Sequence, residues 1–365
     1  MSRRLFFSFF TALTLLAPVA VFAQEEAAPV DEYFKGTILS IEDAIAEEAA
    51  MDPFGGVKNV SVEVEGETIV AQYQDDPAIS SDDLQVGERV VVLKTSAFVG
   101  ETRYVVMDHY RIPSLVWLFV IFVALAVIFA SWRGLTAVVG LAISMGILAA
   151  YTVPAIARGT DPILVAIISV FAIATISLTI SHGPSKQTGI ALASTMTTLL
   201  LAIGIAAIFV RATHLLGLGT EEAFYLRLTF DTVIDPRGLL LAGIIIGVLG
   251  ILDDVTTAQT AAVRALYETD KRLRFRELFQ KGLFVGREHV VSLVNTLALA
   301  YAGVSLPMLL LFSGGNRTTP LWVLFNGELI SEEVVRTLIG SASLVLAVPI
   351  STLFAALLYS RAHLR

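Results

Sequence analysis

Two adjacent carboxylates, Asp253 and Asp254, follow fourteen uninterrupted apolar residues, Leu239 to Leu252, and precede the polar stretch Thr256-Thr257-Ala258-Gln259-Thr260. On a helix Asp253 shares a face with Thr256, Thr257 and Thr260, and Asp254 shares one with Thr257 and Ala261. A strip of carboxylates and hydroxyls can coordinate a hard cation, relay a proton, or satisfy itself by hydrogen bonds. Whether any metal binds is left open. If the helix instead ends near Leu252, the pair is an interfacial cap and the following stretch is a loop. Asn295, an amide costly to bury, is the candidate partner of the pair. Gly243, Gly247 and Gly250 lie three and four residues apart on the same segment, a spacing that predicts close helix packing.

Other chemistries lack their residues. The chain has no cysteine, which removes disulfides, thiolate metal sites and cysteine nucleophiles and suits an oxidising compartment. It has no HExxH, no Gly-x-Ser-x-Gly and no P-loop. An intramembrane aspartyl protease would need its two aspartates on separate helices. No enzyme activity and no cofactor is expected. The net charge of −8 is carried mostly by the first third, and no basic stripe tracks phosphates, so no nucleic acid partner is expected.

The elements that must hold these residues are apolar helices. Of 365 residues, 55% are hydrophobic and 16% charged, against about 25% charged in a soluble domain; the mean hydropathy is +0.75. The shortfall begins near residue 113. Runs long enough to span a bilayer are Ser114 to Trp132, Leu135 to Ala157, Pro162 to Ser181, Thr188 to Val210, Gly238 to Ala262, Val290 to Phe312 and Val335 to Ser360. About seven spans are predicted, forming a mainly α polytopic membrane bundle. Asp253 and Asp254 fall past the midpoint of the fifth.

Before the bundle, Arg3 and Arg4, an apolar run from Leu5 to Ala20 and Val21-Phe22-Ala23 read as a secretory signal over residues 1–23; the other reading is an uncleaved anchor. Both put residue 24 outside. Residues 24–112 read as a small β-rich extracytoplasmic domain, with strands at Tyr33 to Ile41, Val60 to Val64, Thr68 to Tyr73, Arg89 to Leu93 and Arg103 to Met107. The spacing suits a five-stranded barrel or sandwich, an OB-like barrel being one form. A packed cap on the membrane part is the favoured role, and a surface for a partner the other.

Alternating spans from an outside start put eleven Lys and Arg in inner loops, from Arg133 to Arg365, and six at outer positions, from Arg158 to Arg336. The positive-inside rule is met, with an inner membrane location and a cytoplasmic C-terminus. The largest cluster, Arg264 to Arg287, alternates with Leu266, Leu273, Phe275, Leu278, Phe279, Leu283 and Phe284. It reads as an amphipathic helix, lying on an anionic surface or packed on the span ends. Residues 212–237 predict a short helix or re-entrant piece. His182 reads as a loop residue, and Pro349 as a kink in the last span.

The motifs around these residues carry a family resemblance. Ile234-Asp235-Pro236-Arg237-Gly238 leading into Leu249-Gly250-Ile251-Leu252-Asp253-Asp254-Val255-Thr256-Thr257-Ala258-Gln259 resembles the YibE/F-like family of bacterial membrane proteins. Gly286-Arg287-Glu288-His289 with Asn295 to Gly303, and Glu332 to Gly340 with Val348 to Thr352, resemble it too. The residues before Asn295 are bulkier than the family pattern. The β-rich domain ending in Asp108-His109-Tyr110-Arg111 also fits. The resemblance implies a multi-pass membrane protein of about residues 113–365 and names no substrate. The leading expectation is a transporter or permease for a small ion or solute, with Asp253, Asp254, Thr256, Thr257, Thr260 and Asn295 along its path. The alternative is a non-transporting scaffold that meets a membrane or extracytoplasmic protein partner through the β-domain. Either way the lipid bilayer is a partner.

Overall fold

The computed structural model describes residues 31–43, 57–74, 84–98, 101–229, 234–307, 310 and 320–361. The predicted signal at 1–23 lies outside them. The chain divides into two compact units, Met1–Val120 and Ile121–Arg365.

The first unit holds β1 (Glu32–Asp43), β2 (Val57–Val64), β3 (Glu67–Gln74), β4 (Arg89–Phe98) and β5 (Glu101–His109), closed into a barrel in the order β1-β2-β3-β5-β4. All pairs are antiparallel except β3 with β5. β1 is long enough to pair β4 with its first half and β2 with its second, bending through a register shift between Ile38 and Ser40. Alternate residues point inward, so Ile38, Val60, Val62, Ala71, Val90, Val92 and Val106 fill a dry centre. The five expected strands are present, and closure selects the barrel over the sandwich. At the barrel's end Arg111 pairs with Asp108; that hydrogen bond, reinforced by the His109 backbone N–H, holds the Asp108 carboxyl below its usual range.

The second unit is helical: α1 (Ile112–Ile147, which begins within the first unit), a π turn at Leu148–Thr152, α2 (Val153–Ala157), α3 (Pro162–His182), α4 (Lys186–Ala212), α5 (Glu221–Thr229), α6 (Pro236–Thr269), α7 (Phe275–Val304), α8 (Leu321–Asn326) and α9 (Glu328–Arg361). Sequence sets several starts. Asp161 caps α3, its Oδ1 accepting from the N–H groups of Ile163 and Leu164; Ser185 caps α4 and Asp235 caps α6. Pro162 and Pro236 occupy the first helical positions, where no N–H is needed.

Among the described residues, six helices are long and apolar enough to cross a membrane. The predicted first two spans form one run, Ile112–Ala157, of 46 residues. Straight, it would be roughly 69 Å long against a hydrocarbon core of about 30 Å. It is not straight. Ser131 leaves the helical region at φ 53°, ψ −137°, and a Cβ on Gly134 would lie 2.1 Å from the carbonyl oxygen of Ala126. Residues eight apart touch only where a helix doubles back, so glycine is required at this corner.

Two further expectations change. The basic segment 264–287 is not a separate surface helix: it is the end of α6, a turn, and the first turns of α7. Leu273 and Leu278 pack there with Ile190, Val263, Ala355 and Ala356, which is the packed alternative. The sixth span correspondingly runs over Phe275–Val304, earlier than 290–312. The segment after α4 does contain the expected short helix, α5.

Candidate functional site

α6 is the central helix. One side, from Leu241 and Ile245 through Val248, Leu252 and Val255 to Thr256, Gln259, Thr260 and Val263, is buried against α4, α7 and α9. The helix continues unbroken to Thr269. Asp253 and Asp254 therefore do not cap its end, and the stretch from Thr256 to Thr260 is helix and not loop.

The predicted site residues separate into three places. Thr256 and Thr260 face inward. Thr256 Oγ1 lies 2.6 Å from Thr195 Oγ1 of α4, and Thr260 Oγ1 donates to the Thr256 carbonyl at 2.6 Å. Both are satisfied, so their role is to join helices. Asp253 and Thr257, one turn apart, sit at the edge of the buried face. Asp253 Oδ1 and Thr257 Oγ1 are buried atoms with no hydrogen-bond partner. A buried polar atom left unpaired costs about 1–3 kcal/mol, so this pair of orphans calls for a partner. Asp254 is exposed, on the side opposite the core. His182 is the last residue of α3, not a loop residue.

Asn295 is not a partner of the pair. It is exposed and points away from the face of α7 that carries Gly282, Gly286 and Val290 inward. The glycines of α6 are likewise not at a helix crossing. Gly243, Gly247 and Gly250 lie on the exposed face with Asp254; a Cβ at Gly243 or Gly250 would meet nothing within 4 Å, and at Gly247 only Tyr301 Oη at 3.8 Å. The close approach is made by glycines of the partner helices. A Cβ on Gly282 would lie 2.8 Å from Thr352 Cγ2, and one on Gly286 2.3 Å from Val348 Cγ1 and 2.8 Å from Gln259 Oε1.

Gln259 is the residue that sequence reasoning passed over. Only 1% exposed, it donates from Nε2 to the Gly282 carbonyl at 2.8 Å and to Thr352 Oγ1 at 2.7 Å, tying α6 to α7 and α9. Its place one turn after Val255 on the buried face was the available signal. Ser194, Thr198, Ser343, Ser351 and Thr352 return hydrogen bonds to their own helix carbonyls four residues back, the packing role expected of hydroxyls in spans.

A second polar cluster lies at the opposite end of α6. Glu328 Oε1 accepts from the backbone N–H groups of Leu216, Gly217 and Leu218 at 2.6, 3.0 and 3.4 Å, and Glu332 Oε1 from Gly219 at 3.1 Å. Successive N–H groups turned to one point form an anion nest, filled here by the protein's own carboxylate. Gly217, at φ 80°, must be glycine: a Cβ would lie 2.2 Å from the Pro236 carbonyl oxygen. Arg237 Nε donates to the Leu215 carbonyl at 2.9 Å.

Long apolar helices whose buried contacts include hydroxyls, one amide and two carboxylates define a multi-span membrane protein. Residues 118–361 match the family model described as YibE/F-like protein. That is more than half of the chain, and the protein belongs to the YibE/F-like family. No curated protein and no solved structure matches it.

Proposed function

We propose that this protein is a permease for a small ion or solute, with Asp253, Asp254 and Thr257 on the path. The observation that carries the reading is the orphaned pair, Asp253 Oδ1 and Thr257 Oγ1. Carboxylates within a span are expensive unless they face one another, a wet cavity or a passing cation. Asp254 and the bare faces of Gly243, Gly247 and Gly250 continue the same side of α6, leaving a smooth track that ends in acid. Thr256 and Thr260 support this path from behind, and the reading assigns no catalysis to any residue. Seven crossings follow if the two arms of α1 cross separately; Ile112 to Ala130 spans roughly 28 Å. The barrel then lies outside and the Arg264–Arg287 cluster inside, at an inner membrane.

The test is flux in proteoliposomes, with cation and proton gradients applied in turn. Asp253→Asn is expected to abolish uptake and Asp254→Asn to reduce it at least tenfold, both with unchanged thermal unfolding. Normal flux in both variants, or no flux in the wild type with any gradient, would remove the permease reading in favour of a scaffold acting through the β-barrel.

A further inference from the structure

At the end of the bundle where α3 and α6 begin, a cavity of about 620 Å³ opens between α3, α4 and α6. Its walls are mostly apolar, including Ile163, Leu216, Leu218 and Leu241, and Arg211 and Arg237 are among the residues that line it. Neither has an ion-pair partner among the described residues. Arg211 stands in the last turn of α4, and its side chain makes no hydrogen bond to another described residue. Arg237 is held in place by its Nε bond to the Leu215 carbonyl, and its terminal nitrogens have no partner among the described residues. The one acid at the wall, Asp235, is already committed to capping α6 through the Arg237 N–H at 3.1 Å.

A guanidinium presents a planar fork of donors that fits the oxygens of phosphate or carboxylate. Two unpaired forks on one largely apolar chamber give a site for one kind of molecule. We propose that this cavity binds an amphipathic oxyanion, its phosphate or carboxylate held between Arg211 and Arg237 and its hydrocarbon lying on Leu216, Leu218 and Leu241. The inference is independent of transport. An anionic phospholipid and a soluble alkyl phosphate offer the same chemistry. The volume is within the usual range of ligand sites, about 300–1,000 Å³, and admits a headgroup with the first part of a chain.

The experiment uses the full chain purified into nanodiscs. In one arm, native mass spectrometry reads retention of phosphatidylglycerol from a mixture with phosphatidylcholine. In the other, octyl phosphate is titrated calorimetrically into pure phosphatidylcholine discs. Retention of phosphatidylglycerol without octyl phosphate binding identifies the lipid as the source, and octyl phosphate binding identifies a soluble ligand. In whichever arm is positive, Arg211→Gln is expected to weaken binding at least tenfold, and Arg211→Lys to restore part of it. Arg133→Gln, a cation away from the cavity, is expected to change nothing. The Arg211 side chain makes no bond to another described residue, so its variant decides the matter even if Arg237→Gln fails to fold. Failure of both probes to bind, or equal binding by wild type and Arg211→Gln, overturns the proposal.

Discussion

At the scale of single residues, the polar groups of α6 divide by whether the protein itself satisfies them. Thr256, Gln259 and Thr260 are satisfied, and Asp253 and Thr257 are not. The difference is a matter of angle. Three of these residues lie on the side that meets α4, α7 and α9, and the other two sit where that contact ends. Gln259 makes the only amide link of this set, and removing it leaves Thr352 and the Gly282 carbonyl short of a donor. Gln259→Leu is expected to destabilise the protein by about 1–3 kcal/mol, read as a lower unfolding midpoint in detergent. An unchanged midpoint would show that the link is dispensable. Asp253 and Asp254 were recognisable from sequence because a carboxylate after fourteen apolar residues is costly wherever it sits. Gln259 was less visible, because an amide beside three threonines reads equally well as a loop.

At the scale of elements, the glycines carry the comparison. Gly243, Gly247 and Gly250 have the spacing of a packing motif, yet α6 turns them away from its neighbours, and the close crossing is made through Gly282 and Gly286 of α7. Spacing specifies that a helix face is smooth; which helix uses it depends on how the elements rotate against one another. Gly286→Ala would push a methyl into Val348 and Gln259, and overpacking of this kind costs about 1–3 kcal/mol. Gly250→Ala meets open space and is expected to leave stability within about 0.5 kcal/mol. Parallel thermal unfolding of the two variants checks this: equal losses would mean that the crossing is not at Gly286. The same limit explains α1. Hydropathy located two apolar runs divided at residues 133–134, and the break falls at Ser131, just inside the first run, but nothing in the pattern showed that Gly134 would press on Ala126 at the corner.

At the scale of the whole molecule, the proposed orientation puts the barrel and the turn between α6 and α7 on opposite sides of the membrane. The absence of cysteine makes this directly measurable, because one introduced thiol gives one signal. A cysteine at Gly66, in the β2–β3 turn, should react with an impermeant thiol reagent on sealed right-side-out vesicles. One at Lys271 should react only after permeabilisation. The reverse pattern would overturn the orientation and, with it, the assignment of the acidic end of the track to the inner half of the bilayer.

The sequence by itself determined that a β-rich segment of five strands precedes a set of membrane helices, where most of those helices begin, and which carboxylates lie among apolar residues. These are local matters: alternation, caps such as Asp161 and Asp235, and the cost of placing charge in an apolar run are all encoded within a turn or two of chain. Only the tertiary structure decided that Thr256 and Gln259 serve the packing, that Asp253 Oδ1 and Thr257 Oγ1 remain without partners, that Asn295 faces away, and that Arg211 and Arg237 line one cavity. Each of these depends on the rotation of a helix about its own axis, which is set by the neighbours it meets and which no stretch of its own sequence contains.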